Sequence, residues 1–100
     1  MDSINTVSKS RDFIKCMFVN VRCIMSGNKV NVIGAWADDH DLDVIGVCET
    51  WLNSSIDNSE VSIPGFRLYR KDRNDVRERR GGGVLIYVKD ALRSCLCDKM

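Results

Sequence analysis

The sequence predicts an α/β fold, and three features predict it: two short apolar runs of strand length, a stretch of helical spacing between them, and a later β-branched run led by Gly81, Gly82 and Gly83. The first run, Phe13-Ile14-Lys15-Cys16-Met17-Phe18-Val19, is apolar and aromatic, which predicts a strand buried on both faces with Asn20 at its C-terminal end. After Ser26-Gly27-Asn28, the residues Val30, Ile33, Trp36 and Ala37 recur every three or four positions and predict a helix over 28–39. That helix works against its own composition. Val30, Val32 and Ile33 are β-branched, Gly34 is interior, and Asp38 and Asp39 sit at the negative end of the dipole. The second run, Asp43-Val44-Ile45-Gly46-Val47-Cys48, predicts another buried strand, ending at Glu49. Strand, helix and strand in about 36 residues is the size of a βαβ unit, with parallel strands and a right-handed crossover.

Beyond Thr50-Trp51-Leu52 the stretch 53–60 is polar and reads as a loop, closed by Pro64-Gly65. Alternation over 66–70 predicts a strand whose inward face the pattern leaves open. Val84-Leu85-Ile86-Tyr87-Val88 is the clearest strand of all, and it pairs with 66–70 as an antiparallel hairpin across a long loop.

With 100 residues, 44% apolar and 29% charged, the chain has the size and make-up of one small domain, not of a coiled coil, a collagen or a disordered tail. Residues 1–12 read as a disordered or extended N-terminal segment, 13–94 as the folded part and 95–100 as a tail. A net charge of +1 excludes a general polycation. Five cysteines, an odd number, with Cys16, Cys23 and Cys48 in apolar stretches, argue against a disulfide framework and for a reducing, intracellular location, nuclear or cytoplasmic. No apolar run approaches a membrane span, so neither secretion nor insertion is expected. Charge is nonetheless segregated. Seven acidic residues and no Lys or Arg lie in 38–60, whereas 67–80 hold Arg67, Arg70, Lys71, Arg73, Arg77, Arg79 and Arg80 against three acids. Such blocks are either solvated loops or two neighbouring fields, one suited to a cation and the other to a phosphate chain.

Parallel strands of a βαβ unit point the same way, so Asn20 and Glu49 should emerge at one edge of the sheet, where open α/β sheets bind ligands. A carboxylate beside an amide carbonyl supplies hard oxygens suited to Mg²⁺, which keeps waters or phosphate oxygens for its remaining positions. Spacing alone leaves the plainer alternative open, a turn asparagine and a solvated carboxylate.

The ordered string Val19-Asn20-Val21-Arg22, Leu42 to Leu52 with its Glu49-Thr50-Trp51-Leu52, Pro64-Gly65-Phe66, Tyr69-Arg70-Lys71-Asp72-Arg73 and Arg80-Gly81-Gly82-Gly83-Val84 resembles the endonuclease domain of non-LTR (LINE-type) retrotransposons, in the endonuclease/exonuclease/phosphatase superfamily. The resemblance runs over about residues 13–94. It implies the N-terminal half of a DNase I-like four-layer α/β sandwich and a Mg²⁺-dependent phosphodiesterase that nicks target DNA. It also implies that Glu49 binds the metal and Asn20 helps organise metal and phosphate, making these two the catalytic candidates. Arg22 stands where repair-type relatives carry an acid and retrotransposon members commonly carry arginine, and Arg22, Arg70, Arg73 and Arg80 are the candidates for contacting DNA.

The family's downstream tyrosine, Asp-x-Asn and late Asp-His motifs have no counterpart here, and neither His40 nor Tyr87 matches them. The expectation is therefore a metal-side fragment, inactive alone, with DNA and the remaining half-domain as partners and an uncovered sheet prone to self-association. Two alternatives stand beside it: a non-catalytic nucleic-acid-binding or interaction module, and a phosphatase of the same superfamily. Three other features have plain readings. The triple glycine lacks a following Lys-Ser or Lys-Thr and reads as a turn into a strand; Cys95 and Cys97 lack zinc-pair spacing; Trp36 and Trp51 read as packing residues.

Overall fold

A computed structural model of the chain describes residues 13–73 and 81–92. The elements run β1 (Cys16–Asn20), α1 (Lys29–His40), β2 (Val44–Cys48), a 3-10 turn (Asn58–Val61), β3 (Phe66–Lys71) and β4 (Val84–Lys89). The strands form one sheet in the order β1-β2-β4-β3. β1 and β2 are parallel, Cys16 opposite Val44 and Asn20 opposite Cys48. β4 is antiparallel to both β2 and β3. The βαβ unit and the hairpin are thus both present, joined side by side because β4 lies between β2 and β3.

Helix α1 forms without a side-chain cap at its N-terminus. Asn28 precedes it at φ 61 and makes no side-chain cap, and no acidic residue lies in the first turn. Its C-terminus is closed by Asp41 in the left-handed region, whose N–H donates to the carbonyls of Ala37 and Asp38. What holds it is burial of Ile33 and Ala37 against the sheet. Trp36, expected to pack, lies at the surface instead.

Among the described residues one face of the sheet is covered and the other is not. Met17 and Val19 of β1, Ile45 and Val47 of β2, Leu85 and Tyr87 of β4, and Phe66 and Leu68 of β3 join one core cluster with Ile24, Ile33, Val61 and Ile63. This settles the inward face of β3. The opposite face shows a cross-strand row of Phe18, Gly46, Ile86 and Tyr69, fixed by the register. Phe18 is 76% exposed, Tyr69 53%, Val84 43% and Ile86 42%. The expectation that β1 is buried on both faces is corrected. Among the described residues β1 is an edge strand, paired with β2 alone, and its outward residues Cys16, Phe18 and Asn20 alternate with half-buried Met17 and Val19. Cys16 and Cys48 are exposed, Cys23 is half-buried, and all three are free thiols.

At the end of the sheet where β1 and β2 begin, the buried Asp43 carboxylate accepts the Lys15 N–H at 2.9 Å. Lys89 Nζ lies 3.8 Å from Asp43 and 2.8 Å from Asp41. A buried carboxylate persists only when paired in this way, and it ties β2 to both neighbouring strands. Tyr87 is fully buried, edge-on to Phe66 with ring centroids 6.5 Å apart, and its hydroxyl donates to the Val61 carbonyl at 2.5 Å. Burial pushes its hydroxyl up to about 12 from the ordinary 10.0. A raised folded value contributes stability that is complete below the unfolded value and is lost as pH rises through the folded one. Unfolding followed by circular dichroism should therefore show stability falling between pH 10.0 and about 12, and a Tyr87→Phe chain should lack that component. A wild-type alkaline limb identical to that of Tyr87→Phe would refute it.

Candidate functional site

The C-terminal ends of β1 and β2 continue to pair after the strands stop. Val21 N donates to Cys48 O at 3.0 Å, Cys23 N to Glu49 O at 2.8 Å and Ile24 N to Thr50 O at 3.0 Å. On the other side Thr50 N donates to Gly83 O at 3.3 Å and Trp51 N to Gly82 O at 3.0 Å. The segment 49–51 is therefore held between the 21–24 turn and the glycine segment. Its backbone is contorted to fit. Arg22 (φ 47), Cys23 (φ 79), Glu49 (φ 60) and Trp51 (φ 58) are all left-handed without being glycine. Each costs of order 1–3 kcal/mol, and such residues persist where the surroundings over-determine them, typically at binding and catalytic sites.

Within this frame the Glu49 carboxylate is fixed. Its Oε1 accepts the Trp51 indole N–H at 3.0 Å and the Gly82 N–H at 3.3 Å. These two donors, with Arg73 and Arg22 nearby, hold the carboxyl below its ordinary 4.5 against a smaller opposing effect of desolvation. Asn20 stands on the adjoining strand end, opposite Cys48, with an exposed side chain that forms no hydrogen bond among the described residues. Both oxygen-bearing candidates thus lie on one rim, as the parallel unit requires.

The glycine segment does more than turn into β4. Gly81, Gly82 and Gly83 all have φ between 78 and 103. A Cβ on Gly83 would stand 2.5 Å from Thr50 Oγ1, and one on Gly82 the same distance from Arg73 Cδ. The three residues form the wall against which the Glu49 segment and Arg73 lie. Trp51, read from sequence as packing, is a hydrogen-bond donor to the carboxylate. The Glu-x-Trp spacing is too common to reveal this, and Gly82 lies 33 residues from Glu49.

Of the basic candidates, Arg22 and Arg73 adjoin Glu49, while Arg80 falls outside the described residues. Arg70 differs from the expectation. Its Nε and Nη2 grip Asp72 at 3.1 and 2.6 Å, Nη1 donates to Ile56 O and Asn58 Oδ1, and Nη2 donates to Asn53 O. All five guanidinium N–H groups have protein partners, so none is left for a phosphate. Arg70 is a clamp on the 53–58 loop. With side-chain exposures of 14% for Arg70 and 16% for Asp72, the pair lies between surface and buried cases, and Arg70→Met should cost about 2 kcal/mol in urea unfolding. Arg70→Lys, lacking the planar fork, should restore little of it. Equal stability of Arg70→Met and wild type would remove the clamp. His40 is exposed at the end of α1. Among the described residues no group of three or more His, Cys, Asp and Glu converges as for a closed metal cage, and no helix is long and apolar enough to cross a membrane.

No family model matches the chain, and no curated protein matches it. Among solved structures it is similar to an AP endonuclease from Archaeoglobus fulgidus, with a TM-score of 0.59 and 17% identity. The likeness covers 76% of this chain and 27% of that one. At this identity the similarity is one of fold: a small mixed α/β unit with a four-stranded mixed sheet. The chain spans only a minor share of the length of the structure it matches.

Proposed function

We propose that this chain is the metal-side part of a Mg²⁺-dependent DNA endonuclease of the non-LTR retrotransposon type. The observation that supports the reading most is the Glu49 carboxylate held by Trp51 and Gly82 on the same rim as Asn20. The residues fit the ion. Glu49 Oε1 takes both protein donors, leaving Oε2, and Asn20 adds a neutral carbonyl oxygen. One carboxylate with few other protein ligands is the usual Mg²⁺ arrangement, in which water and phosphate complete the shell.

A bound Mg²⁺ would neutralise charge on a phosphoryl oxygen and steady a leaving alkoxide. The chain's own residues prepare for this. The N–H groups of Trp51 and Gly82 keep Glu49 ionised and fix its orientation before any ligand arrives. Arg22 and Arg73 place positive charge beside the carboxylate, which suits a cation accompanied by phosphate better than a cation alone. The bare face around Phe18, Gly46, Ile86 and Tyr69 is where further layers of the domain, or failing them a second copy, would pack.

The test is metal binding at the rim. Mn²⁺ added in place of Mg²⁺ should broaden the Trp51 indole N–H resonance saturably, Mg²⁺ should reverse the effect, and Asn20→Ala should weaken it. Broadening spread over the acidic 38–60 segment with none at Trp51 would sink the proposal. Salt-sensitive, metal-independent DNA binding alongside that result would favour a non-catalytic binding module.

A further inference from the structure

Lys29 is oddly placed for a helix residue. It opens α1, where the dipole disfavours a cation, and no acidic residue in the first turn offsets it. Its side chain turns back from the helix instead. Nζ donates to Val21 O at 2.5 Å and to Arg22 O at 3.1 Å. Those carbonyls belong to the turn in which Arg22 and Cys23 are left-handed in succession. Backbone carbonyls aimed at a single ammonium make short, charge-assisted bonds. The far side of the turn is tied to the Glu49 segment by Cys23 N to Glu49 O at 2.8 Å and Ile24 N to Thr50 O at 3.0 Å.

We propose that Lys29 is a positioning residue of the rim: its ammonium locks the Arg22–Cys23 turn and, through the Cys23–Glu49 main-chain bond, sets the place of the Glu49 carboxylate. The clamp itself follows from geometry; its effect on ligand binding rests on the metal-site reading above. Lys29 acts through the turn and contacts no ligand. A Cβ added at Gly27 would lie 3.8 Å from Lys29 Cε, so the stem runs close to the turn, and methionine keeps the stem while removing the charge.

The experiment compares wild type, Lys29→Met and Lys29→Arg in the full chain by amide hydrogen exchange and by the Mn²⁺ titration of the Trp51 indole. In Lys29→Met the Cys23 and Ile24 amides should exchange about tenfold faster while Ile33 and Ala37 in α1 keep their protection, and the Mn²⁺ midpoint should rise about tenfold. Lys29→Arg should recover both. Unchanged Cys23 protection in Lys29→Met overturns the clamp. Faster exchange with an unchanged Mn²⁺ midpoint overturns the positioning role and leaves a structural lysine. A wild-type chain whose Trp51 indole ignores Mn²⁺ overturns the metal reading, and the exchange comparison then still decides the clamp.

Discussion

Gly83→Ala should destabilise the protein by about 3 kcal/mol, a fall in melting temperature on the order of 15 °C for a chain of this size. Two costs combine. At φ 91 an alanine is strained, and its Cβ would stand 2.5 Å from Thr50 Oγ1, with Lys71 O at 3.6 Å and Asp72 Cα at 3.8 Å behind it. Thr50 cannot move aside, because it is fully buried and its Oγ1 accepts the Leu52 N–H at 3.4 Å. The strand must then part from the Glu49 segment, stretching the Thr50 N to Gly83 O bond. Gly46→Ala is the control. Its Cβ would meet Phe18 ring atoms at 2.5 and 2.8 Å, but that ring is 76% exposed and can swing into solvent. The loss there should stay below about 1 kcal/mol. Thermal unfolding by circular dichroism measures both, and equal melting temperatures would show that the glycine wall is not a close approach.

The contrast between these glycines also shows what the sequence could and could not disclose. Hydrophobic spacing placed α1 over 28–39 against an observed Lys29–His40, and it found all four strands, because burial of Ile33, Ala37, Ile45 and Leu85 imposes the period directly. It misjudged the outer face of β1. Phe18 is as apolar as a core residue whether or not a second layer covers it, so composition cannot tell a doubly buried strand from an uncovered one. The rim of Asn20 and Glu49 was legible for a different reason: parallel strands joined by a helix must end at the same edge.

What fixes the carboxylate at that rim was not legible. Gly82 is 33 residues away from Glu49, and no local pattern marks its N–H as a partner. The basic block is opaque for a related reason, since a run of charges shows sign but not company. Arg70 is committed to Asp72 and to the 53–58 loop, whereas Arg73, three residues on, lies against Gly82 near the carboxylate.

Glu49→Gln separates charge from shape at the rim. Glutamine can present its own Oε1 to the Trp51 and Gly82 N–H groups, so the turn, the positive φ at 49 and the pairing with Cys23 should survive, and the melting temperature should fall only by what the charge adds to those two hydrogen bonds. What disappears is the negative charge and the second carboxylate oxygen, replaced by an amide nitrogen that repels a hard cation. Affinity for Mn²⁺ or Mg²⁺ at Trp51 should fall on the order of 100-fold. The acid limb gives an independent check. Because the folded carboxyl titrates below 4.5, the stability it contributes is complete above that value and is lost as pH falls through the lower folded one. Glu49→Gln should lack this component while keeping those of the other carboxylates. An unchanged metal midpoint in Glu49→Gln, with the Trp51 indole still in its wild-type position, would mean that the held carboxylate is a structural tie and that the cation, if any binds, is gripped elsewhere.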